Sequence, residues 1–206
     1  MTLRYCSMSL TLAAAMLVVA PFASAQDASK QEQPGLTPEQ QAEMKAYQDA
    51  ATPGEPHRRL AAMAGNYSVK TKSWFEPGGE PMEESGTVTR SMALDGRVLV
   101  EQFKGTMMGS PFMGHGMTGY DNVVGKYWST WNDNMSTGLA VSWGSCDAQN
   151  ACTFEGSWND PIKKGPVKSR MTTRWTSSDT EVFEMYGPDK QGREMKMMEI
   201  TYTRSP

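Results

Sequence analysis

The residues with the clearest capacity for chemistry form a methionine- and histidine-rich stretch. Met113, His115 and Met117 alternate with glycines, and Met107 and Met108 lie shortly before them. On a β-strand, residues two apart share a face, so the three alternating side chains would point the same way. Thioether and imidazole groups suit Cu(I). If the stretch is a strand, its spacing predicts a Cu(I) site formed by Met113, His115 and Met117.

A structural interpretation competes with the copper site. Methionine is a flexible side chain that fills irregular cores, and this chain contains 17 methionines. A second group, at Met195, Met197 and Met198, shows that methionines are also frequent elsewhere in the chain. A glycine-rich loop would also separate the three candidate ligands. We therefore expect no cofactor and retain Cu(I) or Ag(I) as the alternative.

Cys146 and Cys152 are separated by five residues that are polar or small, as in a turn. In an oxidising compartment this pair predicts a disulfide between the two arms of a β-hairpin. A redox pair is typically Cys-x-x-Cys, and no histidine lies nearby to complete a zinc site. The third cysteine, Cys6, lies in the N-terminal leader described below.

The remaining titratable residues form no recognisable catalytic set. His57 lies near a predicted helix start, where a local hydrogen bond is expected. Asp121 and Asp133 fall in predicted turns, where aspartate bonds backbone N–H groups. A barrel enzyme with a Tyr, Asp and His site is a hypothesis by analogy alone. Tyr120 and Asp121 would point to opposite faces of one strand, which argues against an enzyme.

The first 25 residues are typical of a cleavable signal peptide. Arg4 precedes the apolar run Leu10–Ala20, and small residues occupy Ala23 and Ala25. The run has 11 residues, whereas a membrane-spanning helix needs roughly 20, so we expect no stable membrane anchor. Cleavage after Ala25 would deliver the chain to the periplasm or the cell exterior.

We expect four segments: a signal peptide (1–25), a disordered lead (26–36), an N-terminal helix (37–52) and a β-barrel domain (53–206). The lead is polar and lacks apolar periodicity. Thr37, Pro38 and Gln40 are typical of a capped helix start. With 20 basic and 23 acidic residues, the charge gives no reason to expect nucleic acid as a partner.

From Asn66 onward, short runs rich in Val, Thr and aromatic residues alternate with turn residues. Their spacing predicts an all-β, antiparallel meander of about ten strands, preceded by one or two short helices. No gap could hold a crossover helix, and closure into a barrel would remove the exposed edges. The strands are predicted near 66–75, 84–93, 96–106, 112–121, 125–132, 136–144, 151–158, 166–176, 180–187 and 193–204.

Several motifs lie within this region: Pro53-Gly54, His57, Leu60, Gly65, Tyr67, Gly119-Tyr120-Asp121, Gly125-Lys126-Tyr127 and Thr130-Trp131-Asn132-Asp133 with Met135. Together they resemble a bacterial family catalogued as domain of unknown function 1579, over residues 53–204. The resemblance implies a lipocalin-like (calycin) barrel, in agreement with the strand pattern, and no established biochemical role. The cysteine pair and the stretch 107–117 depart from the family pattern.

A barrel of about ten strands is too wide for side chains to fill completely. We therefore expect the interior to bind a small hydrophobic molecule. A structural or interaction protein with a filled barrel is a further alternative, because the same residues would also fill a core. The sequence indicates no oligomeric state. The candidate lining residues are aromatic or methionine: Tyr120, Trp131, Trp143, Met171 and Trp175.

Overall fold

A computed structural model describes residues 35–205 of the chain. The predicted signal peptide (1–25) and most of the predicted lead (26–36) lie outside this range. Within it, no helix is both long and apolar enough to cross a membrane. The elements of this part of the chain are α1 (Pro38–Ala51), α2 (Glu55–Ala62), β1 (Gly65–Ser73), β2 (Met82–Ala93), β3 (Val98–Met107), β4 (Ser110–Asp121), β5 (Lys126–Asp133), β6 (Ala140–Cys146), β7 (Cys152–Asp160), β8 (Gly165–Trp175), β9 (Thr180–Pro188) and β10 (Glu194–Arg204).

The strands form one closed antiparallel barrel. Each strand pairs with the next along the chain, and β10 returns to pair with β1. The prediction of an all-β meander that closes into a barrel behind short helices is therefore confirmed. Closure pairs both edges of every strand, so no edge is left exposed.

Helix α2 lies at one end of the barrel, here called the helix end, where it contacts β2, β3 and β4. Its Leu60 is buried against Leu99, Tyr127 and Phe154. The N–H of Gly54 donates to Nδ1 of His57 at 3.0 Å, which confirms the local hydrogen bond expected at this helix start. A second apolar cluster fills the wall between β10, β1, β2, β3 and β4: Tyr67, Val69, Val88, Phe103, Phe112, Ile200 and Tyr202.

Strand β6 begins at Ala140, four residues later than the predicted start at 136. Oδ1 of Asp133 accepts the N–H groups of Met135 (3.0 Å) and Ser136 (3.1 Å), and these bonds form a turn where the sequence predicts strand. Such Asp-to-backbone bonds compete with the ladder of a sheet.

The prediction that Trp143 lines the interior requires its face of β6 to point inward, but in the structure that face points outward. Trp143 is 43% exposed on the outer face, so its assignment to the lining is wrong. The inner positions hold the small residues Ala140, Ser142 and Gly144. A Cβ at Gly144 would overlap the carbonyl oxygen of Thr153 and lie 2.7 Å from the ring of Phe154, so the neighbouring strand leaves no inward space for a side chain.

Cys146 and Cys152 form the predicted disulfide, which joins β6 to β7 at directly opposed positions. Asp147 closes the turn between them, since its Oδ1 accepts the N–H groups of Gln149 (2.8 Å) and Ala151 (2.9 Å). The bond therefore lies at the helix end, where both cysteines pack beside the cluster that contains Leu60.

Candidate functional site

The barrel encloses a cavity of about 960 Å³. Its lining extends from Leu60 and Met63 at the helix end to Met107 and Asp133 at the opposite end. The cavity therefore runs along the barrel. A cavity of this size favours an open interior over the alternative of a filled one in the part of the chain that the structure describes.

Three of the predicted lining residues, Trp131, Met171 and Trp175, line this cavity. Trp131 packs against Phe112 with its ring nearly parallel (interplanar angle 21°, centroids 6.5 Å apart). Its indole Nε1 donates to Oδ2 of Asp133 at 3.0 Å, which fixes the ring orientation. The lining thus includes a large aromatic surface that is held in place.

Tyr120 lies at the helix end and is not part of the cavity lining. Its ring makes edge contacts with Tyr127, at 4.9 Å between centroids, and with His57, at 6.0 Å. It lines a smaller pocket beside α2, together with Glu55, Pro56 and Arg59. The structure therefore assigns Tyr120 to the packing of the helix end.

Gly114 and Gly116 make room for the indole of Trp131 inside the barrel. A Cβ at Gly114 would overlap the ring, and one at Gly116 would lie 3.2 Å from it. Both glycines face inward on β4, beside Trp131 on β5. The alternation of glycine with larger residues in this stretch therefore serves the packing of one aromatic side chain.

Met113, His115 and Met117 share a face of β4, as the copper hypothesis requires, but that face is the outer one. Met113 is 55% and Met117 36% exposed. Their Cα atoms are separated by about 14 Å along the strand. Among the described residues, no group of three or more His, Cys, Asp or Glu is placed to hold a metal. A copper site on thioethers and one imidazole stays a prediction.

Asp121 and Asp133 are engaged with backbone, as expected for turn residues. Oδ1 of Asp121 accepts the N–H groups of Val123 (2.8 Å) and Val124 (3.0 Å). Asp133 bonds the turn that precedes β6, as described above. Neither carboxylate is positioned beside a histidine in a hydrogen-bonded pair within the residues described.

A charged cluster that the sequence analysis missed lies at the helix end of the cavity. Arg90 donates through Nε to Glu101 (2.6 Å) and through Nη1 to Glu181 (2.5 Å). Arg90 is 6% and Glu181 1% exposed. Burial by itself lowers the pKa of Arg90, but the two carboxylates outweigh burial and hold that pKa well above its ordinary value. Arg90, Glu101 and Glu181 thus form a buried ion triad at the helix end of the cavity.

Aromatic rings and a second arginine enclose this triad. The guanidinium of Arg90 lies 4.9 Å from the ring centre of Tyr67 and 4.4 Å from that of Tyr202. Burial, reinforced by Glu101, raises the pKa of the Tyr202 hydroxyl well above its ordinary value. Arg204 donates to the carbonyls of Ala64 (2.7 Å) and Ala62 (3.0 Å), which joins β10 to the end of α2.

A signal for the triad is present in the sequence. Arg90 follows Val88 by two residues on a strand, so period-two alternation places it on the same inner face as Val88. The register then sets it opposite Glu101 on β3. A charge at a core-facing position predicts a buried partner. Glu181 could not be identified in this way, because only the pairing of β1 with β10 brings β9 close to Arg90.

One wall of the cavity carries hydroxyl groups in a row. Inward positions on neighbouring strands pair Thr118 with Ser129, Ser129 with Ser142, Ser142 with Gly156, and Gly156 with Ser169. Thr118, Ser129, Ser142 and Ser169, here called the hydroxyl row, all line the cavity. Their small volume widens the interior, while their hydroxyls make that wall polar.

The sequence model of one protein family matches residues 52–204. The chain belongs to this family, described as Protein of unknown function (DUF1579). The resemblance inferred from the motifs is confirmed, and the barrel agrees with the fold that it implied. No curated protein matches the chain.

Solved structures extend the similarity of fold. The crystal structure of Rv2717c from M. tuberculosis is similar at 12% identity and a TM-score of 0.55, covering 75% of this chain and 100% of that one. At this identity the likeness concerns the fold alone. A redesigned beta barrel also matches, at 13% identity and a TM-score of 0.39, covering 72% of this chain and 96% of that one, and it carries no argument here.

Proposed function

We propose that this protein is exported and binds a small hydrophobic molecule inside its barrel. The observation that carries the proposal is the cavity of about 960 Å³. Small-molecule sites occupy roughly 300–1,000 Å³ and are lined mainly by apolar and aromatic side chains with a few polar groups. Trp131, Trp175 and Met171 supply such a lining.

Burial of a ligand in this cavity would be driven by the hydrophobic effect, since apolar surface of both partners leaves water. The Phe112–Trp131 stack offers a flat surface that suits a planar or branched apolar body. Pairing of all ten strands limits how far the wall of the described barrel can move, so binding would require little reorganisation of the wall.

Export is supported by two features of the chain. The segment 1–25 has the charge, apolar run and small residues of a signal peptide. The disulfide between Cys146 and Cys152 is of a kind that persists in oxidising compartments. Intact mass of the protein recovered from a bacterial periplasm tests this part, with a chain beginning at Gln26 expected.

The binding proposal is tested with N-phenyl-1-naphthylamine, an uncharged probe that fluoresces in apolar surroundings. We expect saturable uptake of one probe per chain. Ser169 faces the cavity, so Ser169→Phe should narrow it beside the hydroxyl row and weaken uptake by about tenfold. The matched control is Lys168→Phe, which places the same side chain on the outer face of β8, at an exposed position.

Absence of saturable uptake by the unmodified protein would overturn the binding proposal. Equal uptake by Ser169→Phe and Lys168→Phe would place the probe outside the cavity and would count against it as well. Circular dichroism of each variant shows whether weaker uptake arises from a narrower cavity or from loss of the fold.

A further inference from the structure

The polar atoms of the cavity wall fall into two groups that differ in their hydrogen bonding. In the charged cluster, Arg90 is bonded to both Glu101 and Glu181. In the hydroxyl row, Oγ1 of Thr118 donates a long hydrogen bond to Oγ of Ser129, at 3.4 Å. The row therefore retains hydrogen-bonding capacity that faces the cavity.

Two further polar atoms, buried within residues that line the cavity, have no partner among the described residues. They are Oγ1 of Thr71 and Nε1 of Trp158. Thr71 is only 6% exposed and lies on the inner face of β1. A buried donor or acceptor without a partner costs about 1–3 kcal/mol relative to a bonded one. The indole N–H can be satisfied only by an acceptor, such as an oxygen.

The charged residues at the helix end do not favour an anionic ligand. Arg90 already bonds two carboxylates, and Arg204 bonds the carbonyls of Ala62 and Ala64. A carboxylate or sulfonate brought beside Arg90 would also meet Glu101 and Glu181, which already bond that cation. Like charges in a low-dielectric interior repel strongly.

We propose that the ligand is an uncharged, oxygenated hydrophobic molecule whose hydroxyl or carbonyl groups lie along one side of an apolar body. Its apolar face packs against the aromatic wall around Trp131 and Phe112. Its oxygens bond the hydroxyl row, whose side chains line the cavity. This inference rests on the proposed function, because it names the class of ligand for the same cavity.

A matched pair of probes isolates the oxygen groups. Flavone and its tetrahydroxy derivative luteolin share one ring skeleton, and a mildly acidic buffer keeps luteolin uncharged. A purely apolar cavity prefers flavone, because the hydroxyls of luteolin must leave water. We expect instead that luteolin binds about tenfold tighter by isothermal titration calorimetry, the factor that one or two net hydrogen bonds supply.

Variants of the hydroxyl row then test where the preference arises. Replacing Ser129, Ser142 and Ser169 together by alanine should lower the affinity for luteolin about tenfold and leave that for flavone unchanged. The control replaces three exposed serines of the outer wall by alanine: Ser68, Ser91 and Ser145.

The outcomes separate this inference from the proposed function. Binding of flavone and luteolin with a preference that the triple variant does not change would overturn the inference and leave the cavity as a binding site. Failure of both probes and of N-phenyl-1-naphthylamine to bind would overturn the proposed function itself. Displacement of luteolin by dodecanesulfonate, which stays anionic in the same buffer, at comparable affinity would contradict the requirement for an uncharged ligand.

Discussion

The helix end of the barrel and the cavity wall above it use buried polar groups in opposite ways. At the helix end, Arg90, Glu101 and Glu181 bond one another, and Arg204 bonds the end of α2. In the cavity wall, Thr71 and Trp158 each have a polar atom without a partner in the described chain. The first arrangement satisfies its own buried charges, whereas the second leaves buried hydrogen-bonding capacity unused.

The largest expected effect comes from breaking the ion triad. Arg90→Met leaves two buried carboxylates without their cation, and we expect a loss of about 3–5 kcal/mol in the free energy of unfolding, measured with urea. Arg174→Met is the control, since Arg174 pairs with Glu184 while 50% exposed and such a pair contributes at most about 1 kcal/mol. Equal losses in the two variants would show that the buried ion triad contributes no more than an exposed ion pair.

Overpacking the cavity wall should have the next largest effect. Gly114→Ala forces a Cβ into the indole of Trp131 and should cost about 1–3 kcal/mol of unfolding free energy. Trp131→Leu should remove most of that penalty in a double-mutant cycle. Gly138→Ala serves as the control because its nearest neighbour would lie 3.5 Å away. No coupling between positions 114 and 131 would contradict the packing described.

The disulfide should contribute a smaller amount at the helix end. It closes a short loop, with a sequence separation of 6, so replacing Cys146 and Cys152 by alanine should cost about 2 kcal/mol. Thermal unfolding of this double variant, compared with the reduced and oxidised parent protein, measures the effect. A larger cost than that of Arg90→Met would mean that the cross-link, rather than the ion triad, dominates the helix end.

The smallest expected effect has the opposite sign. Thr71→Val keeps the shape of the side chain and removes a buried hydroxyl without a partner, so the ligand-free protein should gain about 1 kcal/mol of stability. Ser91→Ala, on the exposed outer wall, should change stability by less than about 0.5 kcal/mol. A destabilised Thr71→Val protein would show that this hydroxyl is bonded in solution.

Periodicity and turn residues predict the barrel well, because strand length and turn chemistry are local properties. The disulfide also follows from local spacing, since a turn of five residues places Cys146 opposite Cys152. The common face of Met113, His115 and Met117 follows from alternation alone.

Which face of a strand points into the barrel is not a local property, and the predicted inward orientation of Trp143 on β6 was wrong. On β6, Trp143 points outward because Phe154 of the neighbouring strand occupies the inner space beside Gly144. On β4, the glycines point inward because Trp131 needs their volume. On β6 the larger residues Val141 and Trp143 face outward, so the rule that apolar residues face the core selects the wrong side of that strand.

Native mass spectrometry of residues 26–206, isolated from the periplasm without denaturation, tests the central claim most directly. The account predicts one uncharged organic molecule per chain, rich in oxygen and lost on denaturation, and a lower occupancy in Ser169→Phe than in Lys168→Phe. A mass equal to that of the disulfide-bonded chain alone, in the unmodified protein and in both variants, would contradict the account.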